Sequence, residues 1–259
     1  AVGVIDALAW HYDEPFADSS AVPTYYVSQS ARRHVTVALS GDGGDENFGG
    51  YRRYRFAVAE QSVRSALPGW LRRSLVRAMA EAYPKADWLP RPLRARATLA
   101  NLAVDEDRAY FQSVTRMDST AARRLLAGDL ARDVADYDSF SVLATHFANC
   151  RATDAASRAM HVDLKTYLTD DILCKVDRAS MAHGLEVRVP FLDHRIVELA
   201  ASLPLGMKIR GGAGKWALKE LMRPTLGADV VDRPKQGFCV PVCEWLRGPL
   251  KTIDRKSVV

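Results

Sequence analysis

The chain has 259 residues, 48% of them hydrophobic and 26% charged, enough for one large globular domain or two small ones. No apolar run reaches the roughly eighteen residues of a membrane helix, and the net charge of +5 permits an anionic ligand without identifying one. Arg72, Arg73, Arg123 and Arg124 fall among alanines and leucines at helical spacing, with no aromatic RNA-binding signature beside them. They read as a solvated helix face and argue against nucleic acid as a partner.

The opening stretch AVGVIDALAWHYDEPF has no basic n-region and no small-residue cleavage site, and it reads as the interior of a helix. The expectation is a cytoplasmic chain cut from something longer. Cys150, Cys174, Cys239 and Cys243 provide a single C-x3-C spacing with no partnering His or Cys pair, which suits reduced thiols better than zinc.

Residues 1–55 read as a piece of an α/β sheet. SSAVPTYYVSQSARRH predicts a helix entered at Ser19 or Ser20, with Pro23 in its first turn. HVTVALS, β-branched and ended by glycine, predicts a short buried strand. In such sheets ligands sit beyond the carboxyl ends of the strands, so Ser40 to Glu46 lie where a ligand is expected.

Residues 56–150 are rich in Ala, Leu and Arg and predict short amphipathic helices broken at LPGW, YPKADWLPRPL and MDST. In residues 151–250, Met160, Leu164, Leu168 and Ile172 recur every four positions and mark the buried face of a long helix. Asp163, Asp170 and Asp177 share another stripe, and Asp171, Lys175 and Arg178 stand a turn apart, able to pair as ions. Gly184 closes the helical stretch, Pro190 holds LEVRVPFLDHR extended, and Asp193 is placed to cap HRIVELAASL. Residues 251–259 form an uninformative tail.

Three stretches can carry chemistry. In Ser40-Gly-Asp-Gly-Gly-Asp-Glu46 the glycines let a ligand approach the backbone, and successive N–H groups form a nest for anionic oxygens. A carboxylate beside such a nest repels phosphate unless a cation stands between them, which points to a magnesium–nucleotide site. A tight turn carrying solvated acids is the alternative. Arg53 occupies the position an EF-hand gives to its bidentate Glu, which excludes that loop. GGAGKW is no Walker A, since Ile209 and Trp216 replace its first Gly and its Ser/Thr, and it reads as a turn before a helix. Lys235, in DRPKQGFCVPVCEWLRGPL, is a surface residue or, if it points into a nucleotide site, a counter-charge for a transferring phosphate. Glu186 and Arg188 share one side of an extended segment, where Arg188 is expected to pair with an acid under cover of its apolar neighbours.

DEPFADSSAVPTYYVS, LSGDGGDENFGGY, YLTDDILCKVDRASMAHGLEVRVPFLDH and RPKQGFCVPVCEWL, in this order, resemble the synthetase domain of glutamine-hydrolysing asparagine synthetases over residues 1–250. The resemblance implies an α/β parent fold, the adenine-nucleotide α-hydrolase-like type of pyrophosphate-loop ATP pyrophosphatases. For this chain it implies a predominantly α-helical piece with few strands. It further implies that ATP adenylates the side-chain carboxylate of aspartate, and that ammonia from an N-terminal glutaminase domain then gives asparagine, AMP and pyrophosphate. Ser40, Gly41, Asp42 and Gly43 would lie beside adenylate and aspartate, and Asp45 would hold Mg²⁺ on pyrophosphate. Lys235 would stabilise the adenylation transition state, with Glu186 and Arg188 in the pocket wall.

The S-G-G-x-D-S loop and the Cys-initiated glutaminase domain of that family do not occur in these 259 residues, and Asp42 stands where a longer Glu often does. The expectation is therefore the C-terminal portion of such an enzyme, inactive alone, whose parent forms a homodimer. Two alternatives stay open: a related amidotransferase or β-lactam-forming synthetase acting on another carboxylate, and a non-catalytic helical interaction protein.

Overall fold

Short apolar repeats interrupted by Pro and Gly produce short helices, and the structure, a computed structural model, is built mainly of them. It describes residues 2–84, 95–117, 119–234, 237 and 240–251. The chain divides into two units, one comprising Ala1–Gly44, Tyr167–Ser202 and Leu218–Val259, the other Asp45–Thr166 and Leu203–Ala217.

In the first unit, helices α1 (Ile5–Tyr12) and α2 (Ala21–Arg32) pack against the Cys174–Met181 helix. The Tyr12 hydroxyl donates to the Lys175 carbonyl at 2.9 Å, and the Lys175 ammonium meets the Asp18 carboxylate at 2.6 Å. Lys175 therefore does not pair along its own helix with Asp171, because α1 and the segment after it present the acid. Ser20 precedes α2 without capping it; its N–H and hydroxyl both donate to Asp18, which organises the turn. The expected long helix is three pieces, Ala155–Lys165, a wider π-type segment Tyr167–Leu173, and Cys174–Met181. Gly184 closes it at φ +66°, and the Asp193 side chain accepts from the Arg195 N–H at 3.0 Å at the start of the His194–Ser202 helix.

Strand β1 (Val37–Leu39) pairs in parallel with β2 (Glu186–Arg188), Val37 opposite Glu186 and Leu39 opposite Arg188. The Ser40 N–H continues the ladder to the Arg188 carbonyl at 2.8 Å. The strand was expected to be buried, yet Leu39 is 74% exposed. The reason is that β1 has one partner strand among the described residues, so alternation along it does not enclose a face.

In the second unit, helix α4 (Arg52–Ala66) packs on the Ala155–Lys165 helix, and Ala156 and Ala159 let the backbones approach. Tyr54, Tyr110, Phe147, Met160 and Val162 fill the core between them. Each such side chain contributes roughly 1.5–3 kcal/mol on burial. Strands β3 (Ile209–Arg210) and β4 (Ala213–Gly214) form a hairpin turned by Gly211 and Gly212, whose φ values of +56° and +76° are what a two-residue hairpin of this hand requires. The GGAGKW stretch is thus a turn before a helix, as expected, the turn belonging to a hairpin and the helix starting at Trp216. Among the described residues no helix is long and apolar enough to cross a membrane.

Candidate functional site

The loop leaving β1 is a turn organised by its own side chains. The Ser40 hydroxyl donates to the Asp42 carboxylate, the Asp42 N–H points back to Ser40 Oγ, and the Gly44 N–H closes on the Gly41 carbonyl at 3.3 Å. Gly43 sits at φ +78°, where a side chain is strained. A Cβ on Gly41 meets nothing within 4 Å among the described residues, so its side of the loop is open to them.

Helix α3 (Gly44–Phe48) follows, with Asp45 and Glu46 in its first turn, where the backbone N–H groups favour negative charge. In the second unit, Asp45 Oδ2 lies 3.2 Å from Lys215 Nζ. The Lys215 N–H donates to the Phe48 carbonyl at 3.0 Å, and the residue adopts φ +57°, uncommon for a lysine. Backbone makes room for this corner. A Cβ on Gly50 would stand 1.9 Å from Asp45 Oδ1 and 2.5 Å from Lys215 Cε, and one on Gly214 would stand 2.3 Å from the Gly49 carbonyl. Gly50 and Gly214 are thus required by close packing, a reason separate from nucleotide access.

Glu46 is 1% exposed and accepts from the Tyr51 hydroxyl at 2.7 Å. Burial lifts its carboxyl above the usual carboxylate range, against the hydrogen bond from Tyr51, and the neighbouring charges of Asp45 and Asp163 push the same way as burial.

Glu186 and Arg188 reach this loop through the backbone, since Arg188 bonds Ser40. Their side chains pair with each other at 2.7 Å and are 55% and 64% exposed. Arg188 therefore has its acid partner, but on the surface and not under apolar cover. Lys235 lies outside the described residues. Lys215, which the sequence reading set aside with its hairpin, is the cation found beside Asp45. Of the arginines read as a solvated face, Arg72 departs: it is half-buried and reaches the Leu102 and Val104 carbonyls.

A carboxylate oxygen is the donor magnesium prefers and Asp45 is partly exposed, so it can serve as one arm of a magnesium site in competition with the Lys215 ammonium. Among the described residues no group of three or more His, Cys, Asp or Glu comes together. A cavity of about 320 Å³ in the second unit, lined in part by Arg52, Phe56, Glu60, Arg64 and Tyr110, contains none of these loop residues. Cys150, Cys174 and Cys243 are free thiols.

The family described as asparagine synthase matches residues 1–258. The "Putative asparagine synthetase (glutamine-hydrolyzing)" of Mycobacterium tuberculosis H37Rv is 36% identical over 246 residues, covering 95% of this chain and 36% of the relative. "Asparagine synthetase (glutamine-hydrolyzing) 1" of Bacillus subtilis is 30% identical over 251 residues, covering 97% of this chain and 38% of the relative. The chain thus spans little more than a third of the curated relatives it matches. No solved structure matches it.

Proposed function

The chain belongs to the asparagine synthase family, and from that premise we propose that it is the synthetase portion of a glutamine-hydrolysing asparagine synthetase. A side-chain carboxylate oxygen of aspartate attacks the α-phosphorus of ATP, and the bond to pyrophosphate breaks. Ammonia then attacks the acyl carbon, the bond to AMP breaks, and a proton is released from nitrogen. The observation that carries this reading is the Ser40–Gly44 turn, placed at the carboxyl end of a parallel strand, open at Gly41 and tied internally from Ser40 to Asp42.

In this reading Ser40, Gly41, Asp42 and Gly43 contact nucleotide and substrate, and Asp42 takes the proton released by the attacking ammonia. Asp45 orients the pyrophosphate end together with Lys215, and Lys235 offsets charge on the transferring phosphoryl group. Mg²⁺ bound there would supply further positive charge to the phosphate oxygens. Glu186 and Arg188 form the wall next to Ser40. Ammonia comes from an N-terminal glutaminase domain of the whole protein, which is a homodimer, and residues 1–259 alone do not release pyrophosphate.

In the full-length protein, Asp45→Asn is expected to slow pyrophosphate release on the order of a hundredfold, while glutamine hydrolysis keeps its rate. Equal loss of both activities counts against a site role for Asp45. Failure of the wild type to form AMP with aspartate, but success with another carboxylate, would move the protein to a different amidotransferase reaction.

A further inference from the structure

Asp163 is a buried charge with several hydrogen-bond donors in the second unit. On the Ala155–Lys165 helix and 2% exposed, it accepts from the hydroxyls of Tyr54 and Tyr110 at 2.5 Å each, and from Arg53 at 3.0 and 2.6 Å. So many charge-assisted bonds hold both partners in one orientation. The Arg53 guanidinium lies 4.0 Å from the centre of the Tyr51 ring, whose edge also meets Tyr54 at 5.6 Å. The Tyr51 hydroxyl donates to Glu46, the residue after Asp45.

Stability alone does not explain this arrangement, because well-packed apolar residues often replace a buried ion pair without loss. Helix α3 gives a better reason. It has five residues, too few to sustain itself, and two glycines follow it. Something outside must fix its direction.

We propose that Asp163 is a positioning residue for Asp45: through Arg53, Tyr51 and Glu46 it fixes helix α3, and so the direction in which Asp45 faces Lys215. The proposal rests on the reading of Asp45 as a site residue.

The test uses Tyr51→Phe in the full-length protein, which removes one hydroxyl and keeps the ring under Arg53. One readout is hydrogen exchange at the Gly50 amide, which donates to the Asp45 carbonyl at 2.9 Å. It should exchange about tenfold faster, with the melting temperature little changed. The other readout is pyrophosphate release from MgATP, aspartate and free ammonia, where kcat should fall about tenfold with KM for ATP unchanged. Glu46→Gln keeps an oxygen for Tyr51 and should stay near wild type in both readouts; Glu46→Leu should fail in both. Unchanged Gly50 exchange in Tyr51→Phe and Glu46→Leu overturns the proposal, as does faster exchange with kcat unaltered. A wild type releasing no pyrophosphate would overturn the functional reading of Asp45, and Gly50 exchange would then decide the positioning claim by itself.

Discussion

Two arginine–carboxylate pairs of nearly equal length sit in opposite settings. Arg188 and Glu186 meet at 2.7 Å with side chains 64% and 55% exposed. Arg53 and Asp163 meet at 2.6 Å with side chains 22% and 2% exposed, among tyrosines that hydrogen-bond the same carboxylate. The contact is chemically the same. What differs is what each charge finds when its partner is taken away: water in the first case, a ring of apolar and phenolic groups in the second. Distance therefore says little about the worth of an ion pair, and the alternative solvation of its members says most.

The largest effect expected from this contrast is at Asp163. Asp163→Asn keeps the shape of the side chain but leaves the Arg53 cation enclosed, and should lower the unfolding free energy by about 3–5 kcal/mol. Urea denaturation reads it directly, and a loss no greater than that of a surface substitution would break the comparison.

The Asp18–Lys175 pair is intermediate, with side chains 26% and 10% exposed. Burial raises the Asp18 carboxyl, but hydrogen bonds from Lys175 and Ser20 outweigh it and hold the group below the usual carboxylate range. A carboxyl depressed by folding contributes fully above its unfolded value, about pH 4, and loses that contribution as pH falls through its lower folded value. Asp18→Asn should thus cost about 1–2 kcal/mol at neutral pH, allowing for solvent screening. Melting curves of variant and wild type should draw together as pH falls from about 4 and meet only below the lowered folded value; a gap unchanged across that range would show that charge is not the cause.

Arg188→Ala should be nearly silent, within about 0.5 kcal/mol in a thermal melt. A large loss would place Arg188 in a contact that its exposure does not suggest.

The legible parts of this molecule were local. The strand ending at Ser40, the turn at Gly184 and the cap at Asp193 each depend on residues within a few positions of one another. The run from Leu185, expected to be extended, is a strand only over Glu186–Arg188 and turns into a 3-10 helix at Pro190–Leu192, where proline suits the first helical position. The loop from Ser40 to Glu46 was legible as a place, because a β-branched run that ends in glycines and acids marks the carboxyl end of a strand. Its supports were not. Lys215 reaches Asp45 only because a hairpin brings it back, and a lysine at positive φ leaves no mark in a sequence. Asp163 was read with Asp170 and Asp177 as one polar stripe, yet it is buried while the other two are exposed. The helix carrying Asp163 ends at Lys165, before Thr166, whose φ of −130° and ψ of −78° are not helical, so a seven-residue repeat does not carry across to Asp170 and Asp177. Glu186 and Arg188 were rightly placed on the same side of their strand, but alternation does not say whether that side meets protein or water.

The corner where Lys215 meets Asp45 also has a history during synthesis. About 170 residues separate the two, and β1 likewise waits for β2 before it has a partner. At roughly 5–20 residues per second, a ribosome delivers the lysine some 10–30 s after the aspartate. Throughout that interval the nascent chain carries a finished glycine-rich turn and an unfinished corner. The corner beside the glycine loop thus waits for a lysine that is made about 170 residues later.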